Sequence, residues 1–250
     1  MGMKQYISEV IDAMARFSDV THVHIIPSQG SIEASALGKE KTIMVKVVAP
    51  AQPLPAPMCL GNLKYLQRIM SVDLIKSSGA MKFTTGSAMD GTDIVRAIEF
   101  SGGNIKIRYE TTDPRAHDLK APTVKDQAWA CSIDLQPSHS KQFGELLSLL
   151  KIVDPSKSDF RIETSRPVAA FVFDGIGSEM EVSQVTGNLP ETANPGAYFL
   201  NSGRFSSALS LAADADSAKL SLSPSAAKLE FQLGDKEFLV VIPRLISATR

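Results

Sequence analysis

The feature that most constrains this chain is a strand–break–helix segment that occurs twice. The first copy, residues 58–73, reads MCLGNLKYLQRIMSVD, which is a short apolar strand end, a Gly-Asn break and an amphipathic helix. The second copy, residues 198–213, reads YFLNSGRFSSALSLAA and begins 140 residues later. A unit that recurs once in each half of a chain predicts an internally duplicated architecture.

Length and composition leave room for two globular domains. The 250 residues are 44% hydrophobic and 21% charged, and the net charge of −1 means that any contact with nucleic acid depends on charge arranged locally. Cys59 and Cys131 lie in no CxxC or metal-ligand spacing, which favours a reducing compartment. The start, MGMKQYISEV, has no signal-peptide pattern, and no apolar run reaches the roughly 20 residues of a membrane helix. We therefore expect a cytoplasmic protein without membrane contact.

Both halves show the same order of helical and strand-like segments. Periodicity predicts helices at 4–17 and 137–153, in addition to one in each repeated segment. The strand-like runs, which are short and separated by turn residues, lie at 21–26, 31–37, 42–48, 75–84, 92–100, 104–110, 129–135, 159–165, 168–174, 178–186, 219–223, 227–233 and 237–242. The polar segment 113–127, with two prolines, predicts a linker between domains at 1–112 and 128–250. We predict an α+β fold of two similar domains, each with two helices packed on antiparallel sheets.

Signals for catalysis are weak. The sequence has no phosphate-binding loop, dinucleotide-binding fingerprint, nucleophile elbow or HExxH. His22 and His24 share one face of a predicted strand, but no third ligand is placed to complete a metal site, and we interpret the face as solvated. Cys131 and His139 could form a nucleophile pair, although we favour Cys131 as a small buried hydrophobic residue. We predict a protein that is not an enzyme and has no cofactor or metal.

The predicted helices carry more basic than acidic residues on their polar faces. The basic residues are Lys4, Arg16, Lys64, Arg68, Lys141, Lys151 and Arg204, and the acidic ones are Glu9, Asp12 and Glu145. If all four helices lined one surface, that surface would be positive and suited to sequence-independent contact with phosphates. Composition alone favours the alternative, in which these are ordinary solvated helix faces.

Two predicted strands carry opposite charges. Residues 104–110 present Lys106 and Arg108 on one face, and residues 178–186 present Glu179 and Glu181 on one face. Opposite charges favour strand pairing, and an open sheet edge tends to find a partner strand. The two strands could close one chain on itself or join neighbouring chains head to tail into a ring. They could also be unrelated solvated faces.

These features together resemble the DNA polymerase sliding clamps, which are proliferating cell nuclear antigen and the phage processivity clamps. The most specific match is at the end of the chain, where a strand at 198–200, a helix at 204–213 and three further strands follow the family order. The ending KLEFQLGDKEFLVVIPRL is similar to the family's last hairpin. The first half matches more loosely, because no strand precedes its first helix and the loop 85–93 is longer than usual.

The resemblance implies the DNA clamp fold and a topological function. Two domains per chain imply a homotrimer, a closed ring of six domains that encircles duplex DNA and tethers the replicative polymerase. The seven basic helix residues would face the DNA backbone without reading bases. The subunit interface would join the two oppositely charged strands, with Lys106, Arg108, Tyr109, Glu179, Glu181 and Val182 as its residues.

The resemblance also implies partner proteins. A pocket for a short peptide would be formed by Leu37, Leu119, Val124, Ile242, Pro243 and Leu245. An ATP-dependent clamp loader would open the ring, because this chain has no phosphate-binding loop. The short length favours a phage clamp that acts at the nucleoid in the host cytoplasm. The competing interpretation is a β-rich viral structural or assembly protein that oligomerises through the same edge strands.

Overall fold

The chain divides into two compact units, Met1–Thr123 and Val124–Arg250. The structure is a computed structural model that describes residues 2–51, 53–88, 90–113, 128–153, 158–165, 168–174, 181–188 and 196–245. Residues 114–127 of the predicted linker lie outside this described part. No helix in the described ranges is long and apolar enough to cross a membrane.

The first unit packs its helices on two antiparallel sheets. Its helices are α1 (Met3–Met14), α2 (Leu63–Ser71) and α3 (Asp73–Ser78). Its strands are β1 (His22–Ser28), β2 (Ser31–Leu37), β3 (Met44–Pro50), β4 (Met58–Gly61), β5 (Ala80–Ser87), β6 (Asp93–Gly102) and β7 (Ile105–Glu110). Within the unit the strand orders are β4-β1-β2-β3 and β5-β6-β7.

The second unit repeats this plan. Its helices are α4 (Pro137–Val153) and α5 (Ser202–Ala212). Its strands are β8 (Cys131–Leu135), β9 (Asp159–Ser165), β10 (Val168–Asp174), β11 (Glu181–Asn188), β12 (Gly196–Asn201), β13 (Ala218–Leu222), β14 (Ala226–Leu233) and β15 (Lys236–Pro243). Within the unit the strand orders are β15-β14-β13-β8 and β11-β10-β9-β12, again antiparallel.

The duplicated segment folds as predicted in both copies. In the first copy β4 leads into α2 through Asn62, whose φ of 46° allows a sharp turn that few other residues tolerate. The four residues of the predicted apolar stripe of α2 are all buried, and they are Leu63, Leu66, Ile69 and Met70. In the second copy β12 leads into α5 through Asn201, whose side chain accepts a hydrogen bond from the Arg204 backbone N–H at 3.0 Å.

The duplication extends to the chain that follows the last strand of each unit. The Thr112 N–H donates to the Cys59 carbonyl in the first unit, and the Leu245 N–H donates to the Phe199 carbonyl in the second, both at 2.9 Å. The two acceptors are 140 residues apart, which is the spacing of the sequence repeat. The two units therefore share this register, although α3 occurs only in the first unit and β8 only in the second among the described elements.

The prediction of a strand from residue 75 is wrong for its first residues. Asp73–Ser78 forms α3, and β5 begins only at Ala80. Ile75 is fully buried, and the Lys4 ammonium donates hydrogen bonds to the carbonyls of Ile75, Lys76 and Gly79 at the end of α3. A short helix leaves most of its carbonyls unpaired, so this distant lysine stabilises a conformation that the local sequence does not favour.

Five phenylalanines form the centre of the second unit. Phe143 on α4 lies with its ring centroid 5.0–5.3 Å from those of the other four. The other four are Phe160, Phe171, Phe173 and Phe205, and each of the five is almost completely buried. Aromatic pairs at these distances add to the free energy of burial, so α4 is held to its sheet mainly through Phe143.

We expect Phe143→Ala to lower the free energy of unfolding by about 3–5 kcal/mol, because it removes a whole ring from a closely packed site. Ser148→Ala, on the exposed side of the same helix, should change it by less than about 0.5 kcal/mol. Urea unfolding followed by circular dichroism measures both. A loss below about 1 kcal/mol for Phe143→Ala would show that the phenylalanine cluster is not the centre of this unit.

Candidate nucleic-acid and subunit interfaces

Each unit places two helices side by side. In the first unit α1 packs against α2, and the Gln67 side chain donates a hydrogen bond to the Asp12 carboxylate at 2.8 Å. In the second unit α4 packs against α5, and the Ser140 hydroxyl donates to the Leu209 carbonyl at 2.9 Å. The apolar sides of these helices face the sheets, so their polar sides form a continuous surface on each unit.

The predicted DNA-facing residues occupy different environments on or next to these helices, since Arg16 lies two residues past the end of α1. Five of the seven are exposed: Arg16, Lys64, Arg68, Lys141 and Lys151. Lys64 and Arg68 are four residues apart on α2 and lie on the same helical face. Arg204 is half-buried on α5. Lys4 is half-buried, and its ammonium is engaged with the carbonyls at the end of α3, so it contributes least to a phosphate-binding surface.

Many basic side chains of the sheets have carboxylate partners that four exposed helix cations lack among the described residues. The described sheets hold many of their basic side chains in ion pairs with N···O distances of 2.5–3.2 Å, namely Lys46–Glu33, Lys106–Glu99, Arg108–Glu110, Arg161–Glu163 and Lys228–Glu230. In contrast, no described carboxylate lies within 4.0 Å of Lys64, Arg68, Lys141 or Lys151. These four helix cations are therefore not neutralised by any described carboxylate; among the sheet cations, Lys82 on β5 and Lys219 on β13 share this property.

The two oppositely charged strands lie at sheet edges, as predicted. Among the described strands, β7 pairs with β6 alone and β11 pairs with β10 alone. Lys106 and Arg108 share an exposed face of β7, and both are bound to Glu99 on β6. The hydrogen bond and charge of Lys106 hold the pKa of the Glu99 carboxyl below its usual value.

For the acidic strand β11, the structure describes the backbone and not the side chains. Glu181 and Val182 belong to β11, where they pair with Asp174 and Phe173 of β10. Glu179 lies outside the described residues. Among the described strands β11 thus has an open edge, and the contribution of its acidic side chains stays a prediction.

Tyr109, a predicted interface residue, lies in the core of the first unit. Its hydroxyl accepts a hydrogen bond from the Gly61 N–H at 2.8 Å and donates one to the Gly61 carbonyl at 2.6 Å. Burial raises the pKa of Tyr109 to about 12. The tyrosine therefore ties the edge strand β7 to the junction of β4 and α2, and only its backbone remains available at the sheet edge.

We expect Tyr109→Phe to destabilise the first unit by about 1–3 kcal/mol, because it leaves two buried backbone groups of Gly61 without a partner. The Gly61 amide should also exchange its hydrogen faster than in the wild type. Urea unfolding and amide exchange by NMR measure these effects. The matched control is the exposed Tyr65→Phe, which should leave stability unchanged, and equal stability of the two variants would contradict the role assigned to Tyr109.

Apolar side chains are exposed beside both edge strands. Leu74 on α3 is 46% exposed and lies against the β6–β7 turn, where a Cβ on Gly103 would be 3.6 Å from its Cδ1. Leu149 and Ile152 are 58% and 79% exposed on α4, which packs against β11. The sequence pattern did not identify these residues as an exposed apolar group. Helical periodicity could have indicated two of them, because Leu149 and Ile152 fall outside the buried stripe of Phe143 and Leu147.

The residues of the predicted peptide pocket belong to different units. Leu37 is half-buried at the end of β2 in the first unit, while Pro243 is exposed and Leu245 half-buried at the end of the second. Ile242 is a core residue, only 2% exposed. Leu119 and Val124 lie outside the described residues.

The interpretation of the histidine pair as a solvated face is wrong for His24. β4 pairs beside β1 and places Cys59 opposite His24, which is buried with its Nε2 3.7 Å from the Cys59 sulfur. No group of three His, Cys, Asp or Glu side chains in the described ranges is arranged to hold a metal. Burial raises the pKa of the Cys59 thiol to about 12 and also raises that of Cys131, so both are protonated at neutral pH.

Known proteins are similar to this chain in their three-dimensional structure. No protein-family model matches the sequence, and no curated protein matches it. The crystal structure of proliferating cellular nuclear antigen (PCNA) from Entamoeba histolytica superposes with a TM-score of 0.67 at 15% identity, over 97% of this chain and 96% of that one. A structure of the C-terminal region of FEN-1 bound to A. fulgidus PCNA superposes with a TM-score of 0.69 at 12% identity, over 99% and 98%. The chain therefore has the α+β fold of the PCNA sliding clamps, as the resemblance predicted.

Proposed function

We propose that this chain is a sliding clamp, a non-enzymatic processivity factor that forms a homotrimeric ring around duplex DNA and tethers a DNA polymerase. The observation that carries the proposal is that four exposed cations on α2 and α4 of a clamp fold lie within ion-pair distance of no described carboxylate. The sheet cations Lys46, Lys106 and Lys228 are neutralised by neighbouring carboxylates, whereas no carboxylate in the described ranges pairs with Lys64, Arg68, Lys141 or Lys151.

Free helix cations suit a surface that must hold DNA and yet move along it. Lysine and arginine contacts to phosphates are electrostatic, independent of sequence and weakened by salt. They fix the protein on the duplex without reading its bases. Retention then depends on enclosure by the ring, and the tethered polymerase gains a high effective concentration at the primer end.

We propose that the ring closes by head-to-tail pairing of β7 of one subunit with β11 of the next. Both strands have an open edge among the described strands, which offers backbone donors and acceptors to a partner strand. Each edge is accompanied by exposed apolar side chains, Leu74 beside β7 and Leu149 with Ile152 beside β11. A contact of this heterologous type, repeated three times, joins six domains into a closed ring.

Partner proteins would reach the ring through short peptides. The A. fulgidus PCNA of the comparison binds the C-terminal region of FEN-1. By analogy, we propose that this chain binds peptide segments of a DNA polymerase and of an ATP-dependent clamp loader. Its place of action would be the nucleoid in the cytoplasm, within the host if a phage encodes it.

Particle mass and shape test the assembly. At micromolar concentration, size-exclusion chromatography with light scattering should give three chains per particle. Negative-stain images should show a six-lobed ring with a central hole wide enough for a duplex. A particle with the mass of one chain at that concentration would contradict the proposed ring.

A further inference from the structure

An aromatic side chain lies between two free cations on α2. Tyr65 is 51% exposed, adjacent to Lys64 in sequence and three residues before Arg68. Residues three and four apart meet on a helix surface, so Tyr65 and Lys64 both flank Arg68 on the solvent side of α2. In the described part of the chain, the Tyr65 hydroxyl makes no hydrogen bond and the two cations make no ion pair.

Tyr65 is set apart from the other exposed apolar residues. Leu74, Leu149 and Ile152, the remaining large exposed hydrophobic side chains among the described residues, lie on the helices beside the edge strands. Tyr65 lies on the helix that carries the free cations, and it is the only one of the four with a polar group. Its hydroxyl can donate a hydrogen bond to an anion, and its ring can pack against an apolar sugar face.

We propose that Tyr65 binds the sugar–phosphate backbone of duplex DNA, donating a hydrogen bond from its hydroxyl to a phosphate oxygen. The proposal rests on the proposed function, since it requires α2 to face the duplex. Tyrosine is among the side chains that position proteins on DNA through phosphate contacts. The surrounding charge fits the ligand, because Lys64 and Arg68 attract the same phosphates and no described carboxylate neutralises them.

The Tyr65–phosphate contact would respond to salt differently from the phosphate contacts of Lys64 and Arg68. A cation that neutralises a phosphate releases a counterion, so its contribution to affinity falls as salt rises. A neutral hydroxyl releases none, and its contribution stays nearly constant. Tyr65 would thus retain the ring on the backbone at salt concentrations where Lys64 and Arg68 are screened.

The test compares Tyr65→Phe and Lys64→Ala in the full chain, using fluorescence anisotropy with a labelled duplex over a range of KCl concentrations. Tyr65→Phe removes only the hydroxyl, and we expect about three- to tenfold weaker binding at every salt concentration with an unchanged slope of log affinity against log salt. Lys64→Ala should instead reduce that slope by about 0.9 for each copy that touches the DNA.

The measurements distinguish a failure of the proposed Tyr65 contact from a failure of the proposed function. If Tyr65→Phe binds as the wild type does while Lys64→Ala is weakened, α2 faces DNA and Tyr65 makes no contact. If Tyr65→Phe changes the slope rather than the overall affinity, the tyrosine acts through the cations, which also overturns the proposal. If the wild type shows no salt-dependent binding to duplex DNA, the proposed function fails as well. Because Tyr65 is exposed, the unfolding curve of Tyr65→Phe should match the wild type, and this confirms that the comparison is between folded proteins.

Discussion

Leu149→Asp combined with Ile152→Asp should convert the assembled particle into single folded chains. Both side chains are largely exposed on α4, beside the open strand β11, so the changes do not disturb the core. In the proposed ring they would be buried against the neighbouring subunit, which stabilises the contact by about 1.5–3 kcal/mol for each fully buried side chain. Two carboxylates in their place would have to be desolvated without a partner, at a further cost. Light scattering at micromolar concentration measures the outcome.

Gln232→Asp provides the control for this experiment. Gln232 is exposed on β14, which pairs with β13 and β15 and is not an edge strand, and its replacement also introduces a carboxylate. This control should keep the mass of three chains. If the double variant kept that mass as well, with an unaltered circular dichroism spectrum, α4 would not be part of the subunit contact.

Lys64→Glu combined with Arg68→Glu should strongly weaken binding to duplex DNA and leave the assembly intact. The pair reverses two exposed positive charges on the same face of α2, where no described carboxylate compensates them. Because each phosphate contact contributes to a steep salt dependence, we expect affinity to fall at least about 100-fold at moderate salt. Anisotropy with a labelled duplex measures affinity, and primer extension with a polymerase that uses the clamp measures the resulting loss of processivity.

Lys82→Glu combined with Lys219→Glu changes the net charge by the same amount on the sheets. Lys82 and Lys219 are exposed on β5 and β13 and are not on the paired helices. This control should weaken binding only slightly, through the long-range field of the whole protein. If the control lost as much affinity as the α2 pair, binding would follow net charge, and the helix surface would have no special role.

The sequence predicted the parts of the fold that depend on local pattern. The amphipathic stripe of α2 and the Gly-Asn break before it are properties of neighbouring residues, and both are present as predicted. The helix α3 was missed because its stabilisation comes from Lys4, far away in sequence. The burial of His24 was missed because it depends on which strand pairs beside β1. Long-range partners of this kind are not visible in periodicity.

Long-range partners also limited what the sequence could predict about the candidate interfaces. The basic helix residues could be identified from the sequence, but whether each cation is neutralised could not. The partner of Lys106 is Glu99 on the neighbouring strand, and no spacing rule connects them. Tyr109 was expected at the subunit interface because it lies on the edge strand, whereas its hydroxyl is bound to Gly61 within the core. Only the three-dimensional arrangement distinguishes the cations of α2 and α4, which have no described carboxylate partner, from paired sheet cations such as Lys106.

The claim that the chain encircles DNA is tested most directly by the topology of the DNA that retains it. Subunits would be diluted until they dissociate, mixed with nicked circular plasmid and concentrated, so that rings close around the DNA without a loader. After a high-salt wash that removes electrostatic contacts, the protein should co-elute with the circles on gel filtration and be released when a restriction enzyme linearises them. Equal retention on circular and linear DNA, or loss from both in high salt, would contradict a clamp and indicate an ordinary electrostatic binder.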